Sequence, residues 1–499
     1  MEKINVGIIG CGRISDLHYL GYRNNKHARI YAVCDCDKDV ALRRQKEWKA
    51  VKYYTDYQYL LRDPEIDAVE ILTPHTAHEE MVVNAALMGK HIAVQKPMTI
   101  SLESADRMLE AIQQKDIVYK VTDNYLFYPP IVLARKMIDE GTIGTPTNVR
   151  IKLISGGSGG WKVPPAAWEW RIKETAEGRG LQTFDHGHHL WATSWYLLGD
   201  VDRVMSWIDS VDGMVDSPAV IMWKYRDGIR YGMCEYIWAP DLYITSKYYA
   251  NDEWIEISGT KGIILINRCT GNILSGPAVS LFTGKKWKHF SKVKCDWAEG
   301  FKGATQNFIN TIRGDDKPLL TGEEGREILR FNLAIQKSSR VHREVYLEEL
   351  DSPFPALYSW RRSRSEKGNI SHIQKLKEVI GRRRGHARYA SRARSLTLEL
   401  MDKFDPDVVQ DWESTIGLDL LPENDTPGRT FSILITKGSA TVEEGSLPEK
   451  ASLILRIPSG TWAAILLGKE KIEQAFTDGK IEMDGEIDEA LKVRAAFGL

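Results

Sequence analysis

Three side chains combine reactive chemistry with usable spacing: Lys96, Asp185 and His189. Lys96 follows the β-rich run Ala93-Val94-Gln95. It therefore sits at the carboxyl end of a strand, where ligands bind in open α/β sheets. An amine there can hydrogen-bond a reacting oxygen and relay its proton. Asp185 and His189 are four positions apart, so on a helix they share one face and can converge on one ligand. An imidazole with an ordinary pKa near 6.5 can take a proton near neutral pH. Such groups suit oxidation of an alcohol by hydride transfer, which needs a hydride acceptor, a base and groups that fix the hydroxyl. Each has a plainer alternative: Lys-Pro after a strand is a helix-start device, and Asp-x-x-x-His is a surface capping pattern. Asp185, His186, His188 and His189 also offer metal-ligand chemistry. Successive helical residues point in different directions, however, so no metal site is expected. His186 and His188 are expected against substrate instead.

A hydride acceptor is implied near the N-terminus. The run Val6-Gly7-Ile8-Ile9 ends in Gly10-Cys11-Gly12-Arg13-Ile14-Ser15. The first glycine permits a tight turn, the second lets backbone approach a pyrophosphate, and the next helix offers its N-terminal NH groups to the anion. Ser15 stands where a third glycine is usual, and is small enough for close helix–strand packing. Asp35, 23 residues past Gly12, ends the second strand, where a carboxylate accepts hydrogen bonds from a ribose diol. It would repel a 2′-phosphate, which favours NAD over NADP.

Eleven of fifteen tryptophans fall between Trp161 and Trp297. Indole faces pack against sugar C–H surfaces, although core and oligomer packing accounts for most of them. Trp161, Trp168 and Trp170 are the candidates for substrate contact, because they lie beside a glycine-rich loop (Gly156, Gly157, Gly159, Gly160) that can close over a ligand.

The elements that must position these groups follow from periodicity. Ile4–Ile9, Ile30–Cys34, Ala68–Leu72, His91–Val94 and Val118–Val121 read as buried parallel strands, separated by helical stretches such as Glu79–Leu87 and Leu102–Gln113. That is a doubly wound α/β pattern over residues 1–123. Residues 124–350 read as α+β, with a helix over Ile131–Glu140 and a large, mostly antiparallel sheet that includes Asn148–Ile154, Val220–Tyr225, Gly232–Ile237 and Trp254–Ile257. A linker over 351–395 is basic: between Trp360 and Ser395 there are twelve Lys or Arg against two Glu. It lacks interleaved aromatics and reads as a solvated helical connector rather than a nucleic-acid or membrane surface. Residues 396–499 return to strand alternation and form a small α+β unit.

The composition agrees. A chain of 499 residues implies several domains, and a formal net charge of -1 gives no global attraction to nucleic acid or membrane. No apolar run reaches the roughly 18 residues of a membrane span. The N-terminus does not read as a secretory leader, and six scattered cysteines form no CxxC pair, so a reducing, cytoplasmic setting is expected.

Further segments carry a family resemblance. Thr73-Pro74-His75-Thr76-Ala77-His78, Ala86-Leu87-Met88-Gly89-Lys90-His91, Gln95-Lys96-Pro97, Asp185-His186-Gly187-His188-His189 and Gly259-Thr260-Lys261-Gly262 resemble motifs of the Gfo/Idh/MocA (glucose–fructose oxidoreductase/inositol dehydrogenase) family. The likeness spans about residues 1–346. It implies an NAD-dependent dehydrogenase of a sugar or cyclitol hydroxyl, working as a homodimer or homotetramer. It also implies His189 as general base, Lys96 as the hydroxyl-polarising partner, and Asp185 as substrate anchor or histidine orienter. The cofactor would meet Gly10, Gly12, Arg13, Ile14, Asp35, Thr73, Pro74, His78, Gln95, Lys96 and Asn124. Substrate would meet Trp161, Trp170, Arg171, His186 and His188. Two positions depart from the family pattern: its E-K-P glutamate is Gln95, and the acid often found three residues after the histidine is Ala192. The tail, through Gly428-Arg429-Thr430-Phe431, Ser459-Gly460-Thr461-Trp462 and Phe476–Gly485, resembles the sterol-carrier-protein fold, which implies an apolar ligand. Assembly or occlusion of the dehydrogenase site is the role expected for it here. Two other activities fit the family: glycoside cleavage or epimerisation with transient redox, and non-catalytic sugar sensing.

Overall fold

The computed structural model describes residues 3–113, 115–162, 165–352, 386–409, 412–423, 425–436 and 438–499. Most of the basic tract, and the connector read for it, lies outside the described residues. The chain divides into two compact units, Met1–Asp351 and Ser352–Leu499.

The first unit opens with β1 (Ile4–Ile9), β2 (Ala28–Cys34), β3 (Lys52–Tyr54), β4 (Ala68–Ile71), β5 (His91–Gln95) and β6 (Tyr119–Thr122). They form one parallel sheet in the order β3-β2-β1-β4-β5-β6. Helices cover both faces of such a sheet, so its strands read as apolar runs. Val6, Ile8, Val69, Ile71, Ile92 and Val94 are buried accordingly. The charged exceptions are Glu70 in β4 and Lys120 in β6, both fully buried. Periodicity alone missed β3, a three-residue strand with half-buried side chains. The helix Leu102–Gln113 turns Leu102, Ala105 and Met108 into the core, as its apolar spacing demands.

The rest of this unit is a nine-stranded sheet. Its strands are β7 (Pro146–Ser158), β8 (Val201–Ile208), β9 (Ala219–Tyr225), β10 (Tyr231–Tyr243), β11 (Asn251–Gly259), β12 (Ile263–Ile266), β13 (Val279–Phe282), β14 (Trp287–Phe290) and β15 (Val345–Tyr346). All named pairings are antiparallel except that of β7 with β10. The glycine-rich stretch is only partly a loop: Gly156 and Gly157 lie within β7, with Gly156 paired to Ala239, and Gly159 and Gly160 follow the strand's end. A Cβ on Gly157 would meet the Pro240 carbonyl oxygen at 1.9 Å, so glycine there serves close strand packing. Trp191 and Trp223 are core residues that meet Phe331 of the helix Gly322–Val341.

The second unit holds β16 (Ser414–Leu421), β17 (Arg429–Thr436), β18 (Ser439–Glu444), β19 (Leu453–Pro458) and β20 (Glu482–Gly485) in the order β18-β17-β16-β19-β20. Its core gathers Phe431, Ile433, Ile435, Leu453, Leu455 and Ile457 from the strands with Trp462 and Phe497 from helices Ser459–Leu466 and Ile487–Phe497. No helix among the described residues is long and apolar enough to cross a membrane.

Candidate active site

The parallel sheet and the nine-stranded sheet of the first unit flank a cavity of about 1220 Å³. At one end lies the glycine loop. Gly10 has φ +92°, and a Cβ there would sit 2.8 Å from the Leu72 backbone, so both conformation and space require glycine. Around Gly12 no atom lies within 4 Å of an added Cβ, which leaves the loop open toward the cavity. Ser15 starts the following helix (Ser15–Tyr22), and its hydroxyl donates to the Gly12 carbonyl at 2.5 Å. The Asp35 carboxylate accepts the Cys11 NH at 2.9 Å and the Asp37 NH at 3.0 Å. A carboxylate has about four acceptor positions, so it keeps capacity for a diol. An open loop, a helix N-terminus and an acid at the end of β2 together fit a dinucleotide without 2′-phosphate.

At the other end, Lys96 leaves the carboxyl end of β5. Its ammonium donates to the Asp185 carboxylate at 2.8 Å and to the Asp185 carbonyl at 2.7 Å. The same carboxylate lies 3.3 Å from His75 Nε2 and 3.5 Å from Arg171 Nε. Burial pushes the Asp185 pKa up, but the charges of Lys96, His75 and Arg171 outweigh it and hold the group well below the ordinary carboxylate range. Asp185 lies in a π-helical turn, Leu181–His186, a form often found at functional sites. That turn is pinned by Asp216, which accepts the Gln182 and Thr183 NH groups at 2.7 and 2.8 Å.

His189 lies on the helix Gly187–Leu198. Its Nδ1 is 2.8 Å from Asp123 Oδ1, and its ring stacks on Tyr125 at 4.4 Å between centroids. A carboxylate can only accept here, so Nδ1 carries the ring proton and Nε2 is the free, basic nitrogen. Burial lowers the His189 pKa to about 4, against the opposing pull of Asp123. The ring is therefore neutral at pH 7. Asp123 ends β6 much as Lys96 ends β5; burial raises its pKa, and His189 and His188 bring it down below the ordinary range.

Most of the sequence candidates border this cavity: Gly10, Gly12, Arg13, Ile14, Asp35, Thr73, Pro74, Gln95, Lys96, Trp161, Trp168, Trp170, Arg171, Asp185, His186 and His189. Arg13 stacks over Trp161 at 4.5 Å, and Arg171 over Trp170 at 4.3 Å. Three candidates lie elsewhere. His78 is fully buried, and both its ring nitrogens face carbonyls of Thr73, Pro97 and Met98. His188 is fully buried behind the site against Asp123. Asn124 is buried and does not border the cavity. Asp185 does not orient His189, because it faces Lys96; Asp123 holds that position. Sequence reasoning passed over Asp123, His75 and Glu253, which pairs with His186 at 3.0 Å. The signal available for Asp123 was its place one residue past a parallel strand. Among the described residues no three His, Cys, Asp or Glu side chains converge to hold a metal ion.

Fold and site thus define a dinucleotide-binding α/β protein whose second domain closes a polar cavity against the nucleotide loop. Residues 4–123 match the oxidoreductase family with NAD-binding Rossmann fold, and residues 131–265 match the GFO/IDH/MocA C-terminal domain. The chain belongs to the Gfo/Idh/MocA oxidoreductase family. Residues 397–498 match the SCP-2 sterol transfer family. Among relatives, the chain is 26% identical to myo-inositol 2-dehydrogenase of Thermotoga maritima, over 70% of this chain and 99% of that one. It is 27% identical to scyllo-inositol 2-dehydrogenase (NAD(+)) of Bacillus subtilis, over 70% and 97%. Among solved structures, levoglucosan dehydrogenase in complex with NADH and levoglucosan shares the fold, with a TM-score of 0.59 at 21% identity, over 69% of this chain and 100% of that one.

Proposed function

We propose that this protein is an NAD-dependent dehydrogenase that oxidises a hydroxyl of a sugar or cyclitol. The observation that carries the reading is the convergence, in one cavity beneath the glycine loop, of a neutral His189 with free Nε2 and an ammonium on Lys96. The inositol dehydrogenases among the relatives supply the substrate class.

Gly10, Gly12, Arg13, Ile14 and the helix behind them would hold the pyrophosphate, and Asp35 the ribose, with Thr73, Pro74 and Gln95 beside the nicotinamide. When bound, the nicotinamide supplies the hydride acceptor. The protein's own part is proton handling. Lys96 donates a hydrogen bond to the substrate oxygen and stabilises negative charge as it develops. His189 Nε2 takes the hydroxyl proton, and the resulting imidazolium is stabilised by Asp123 on Nδ1. Asp185 accepts from the Lys96 amine and holds it in place, while Arg171 and His75 fix the same carboxylate. His186, Trp161 and Trp170 form the wall against which the sugar packs.

The proposed domain division is 1–123, 124–350, a linker at 351–395 and 396–499. Trp207, Met222 and Tyr231, exposed on β8, β9 and β10, favour a homodimer or homotetramer through that sheet face. Six free cysteines favour a reducing, cytoplasmic setting. The sterol-carrier-like tail is assigned to assembly or occlusion, with an apolar ligand as the alternative.

The test is a screen of sugars and polyols with NAD, following NADH absorbance. Net NADH from at least one substrate supports the reading. Product formation without net NADH moves the assignment to transient redox, as in glycoside cleavage or epimerisation. Sugar binding without any product would make the protein a sensor.

A further inference from the structure

Glu70 is a buried carboxylate that the mechanism leaves unused. It lies in the middle of β4, fully buried, with Ile8 and Ala93 as its neighbours on the adjacent strands. An ionised carboxylate in a sheet core costs several kcal/mol unless it is paired and hydrogen-bonded. Glu70 Oε1 meets His18, 1% exposed, on the helix that follows the glycine loop, with Nδ1 at 3.0 Å, and the buried Lys120 amine and Tyr22 hydroxyl face the same carboxylate. The other ring nitrogen, Nε2, lies 3.3 Å from Gln95 Nε2. Gln95 in turn accepts the Lys96 backbone NH through Oε1 at 3.0 Å, an NH shared with the Thr122 carbonyl.

The protons on this string follow from one group of known polarity. A backbone NH can only donate, so the Gln95 oxygen must face Lys96. The Gln95 amino group must then face His18, whose Nε2 has to be an unprotonated acceptor. The His18 proton is left on Nδ1, pointing at Glu70. A proton on Nε2 would oppose two donors, and a flipped Gln95 amide would oppose the Lys96 NH. Only one arrangement satisfies every contact.

We infer that His18 and Glu70 are positioning residues that lock the Gln95 amide and, through it, the backbone from which Lys96 reaches the substrate. The string joins three elements: β4, the helix behind the nucleotide loop, and the end of β5. It makes the placement of the Lys96 ammonium depend on the helix that binds the cofactor phosphates. The inference rests on the reading of Lys96 as the hydroxyl-binding amine.

The direct test is ¹⁵N NMR of the full-length protein labelled at histidine, with His18 assigned by loss of its signal in His18→Phe. At pH 7, Nδ1 is expected in the protonated, pyrrole-like range and Nε2 in the imine-like range. Gln95→Glu places a carboxylate oxygen against Nε2, so His18 is expected to become doubly protonated in that variant. Kinetically, His18→Phe and Glu70→Leu should lower kcat about 10-fold or more, as displaced catalytic groups do, with the Kd for NAD changed less than about 3-fold. Glu70→Gln keeps an acceptor for Nδ1–H and should recover most of the loss seen in Glu70→Leu. A His18 proton on Nε2 in the wild type, or normal kcat in His18→Phe, overturns the inference. If the tautomer is as expected but Lys96→Ala has normal kcat, the reading of Lys96 fails while the string stands.

Discussion

Asp123 carries two separable duties toward His189, and a pair of substitutions should resolve them. Its Oδ1 accepts both His189 Nδ1–H at 2.8 Å and the Tyr125 NH at 3.0 Å, while Oδ2 faces His188 Nδ1 at 3.4 Å. In Asp123→Asn the amide oxygen must stay toward the Tyr125 NH, which can only donate. The His189 tautomer is thereby preserved, the amino group turns to the less constrained His188, and only the charge is lost. At an effective dielectric of about 20, a unit charge about 4 Å away is worth about 4 kcal/mol to the imidazolium. With the proton about half transferred in the transition state, about 2 kcal/mol is lost, or about 30-fold in kcat. Asp123→Ala removes the acceptor as well, so the ring can turn or change tautomer, and the loss should reach about 10³-fold or more. Steady-state NADH production on the substrate found by screening measures both, with NAD binding by calorimetry as the control for folding. Near-normal turnover in Asp123→Ala would refute His189 as the base. Equal losses in the two variants would refute the tautomer argument.

Other outcomes follow from the same geometry. Lys96→Ala should cost about 10²-fold in turnover while NAD binding survives, since Asp185 keeps His75 and Arg171 as partners; unchanged turnover would remove Lys96 from the mechanism. Asp35→Ser should narrow the preference for NAD over NADP in calorimetric titrations, whereas tighter NADP binding by the wild type would contradict the role of Asp35. Burial lowers the pKa of both His78 and His189 to about 4, below the roughly 6.5 of an unfolded histidine, so between these values only the unfolded state binds the proton. Stability should therefore fall as pH drops through that window, by about 2 kcal/mol per histidine from pH 7 to 5; urea midpoints equal at the two pH values would contradict it. A chain ending at Ser352 should stay folded and bind NAD, because the first unit has its own core and spans nearly the whole length of its dehydrogenase relatives; insolubility would place the boundary wrongly.

Local pattern was enough for five of the six parallel strands and for the nucleotide loop. Buried parallel strands are short apolar runs, and a glycine turn followed by an acid at the next strand end is contiguous chemistry, so Ile4–Ile9, Gly10, Gly12 and Asp35 could be read directly. Lys96 and His189 were legible as reactive groups for the same reason. Their partners were not. Asp185 and His189, paired by helical spacing, serve different neighbours, because the turn Leu181–His186 is π-helical and its carboxylate is drawn to an ammonium 89 positions earlier in the chain. Asp123 meets His189 across 66 positions, and Glu70 meets His18 across 52. Contacts of that range arise only when strands order themselves in a sheet and a second domain packs against their carboxyl ends. Which histidine faces the cavity was also a tertiary decision: His188 and His189 are adjacent in sequence, but helix rotation sends one to the core and the other to the site. Side-chain type thus declared what chemistry was available, and packing across the fold decided which groups hold the protons.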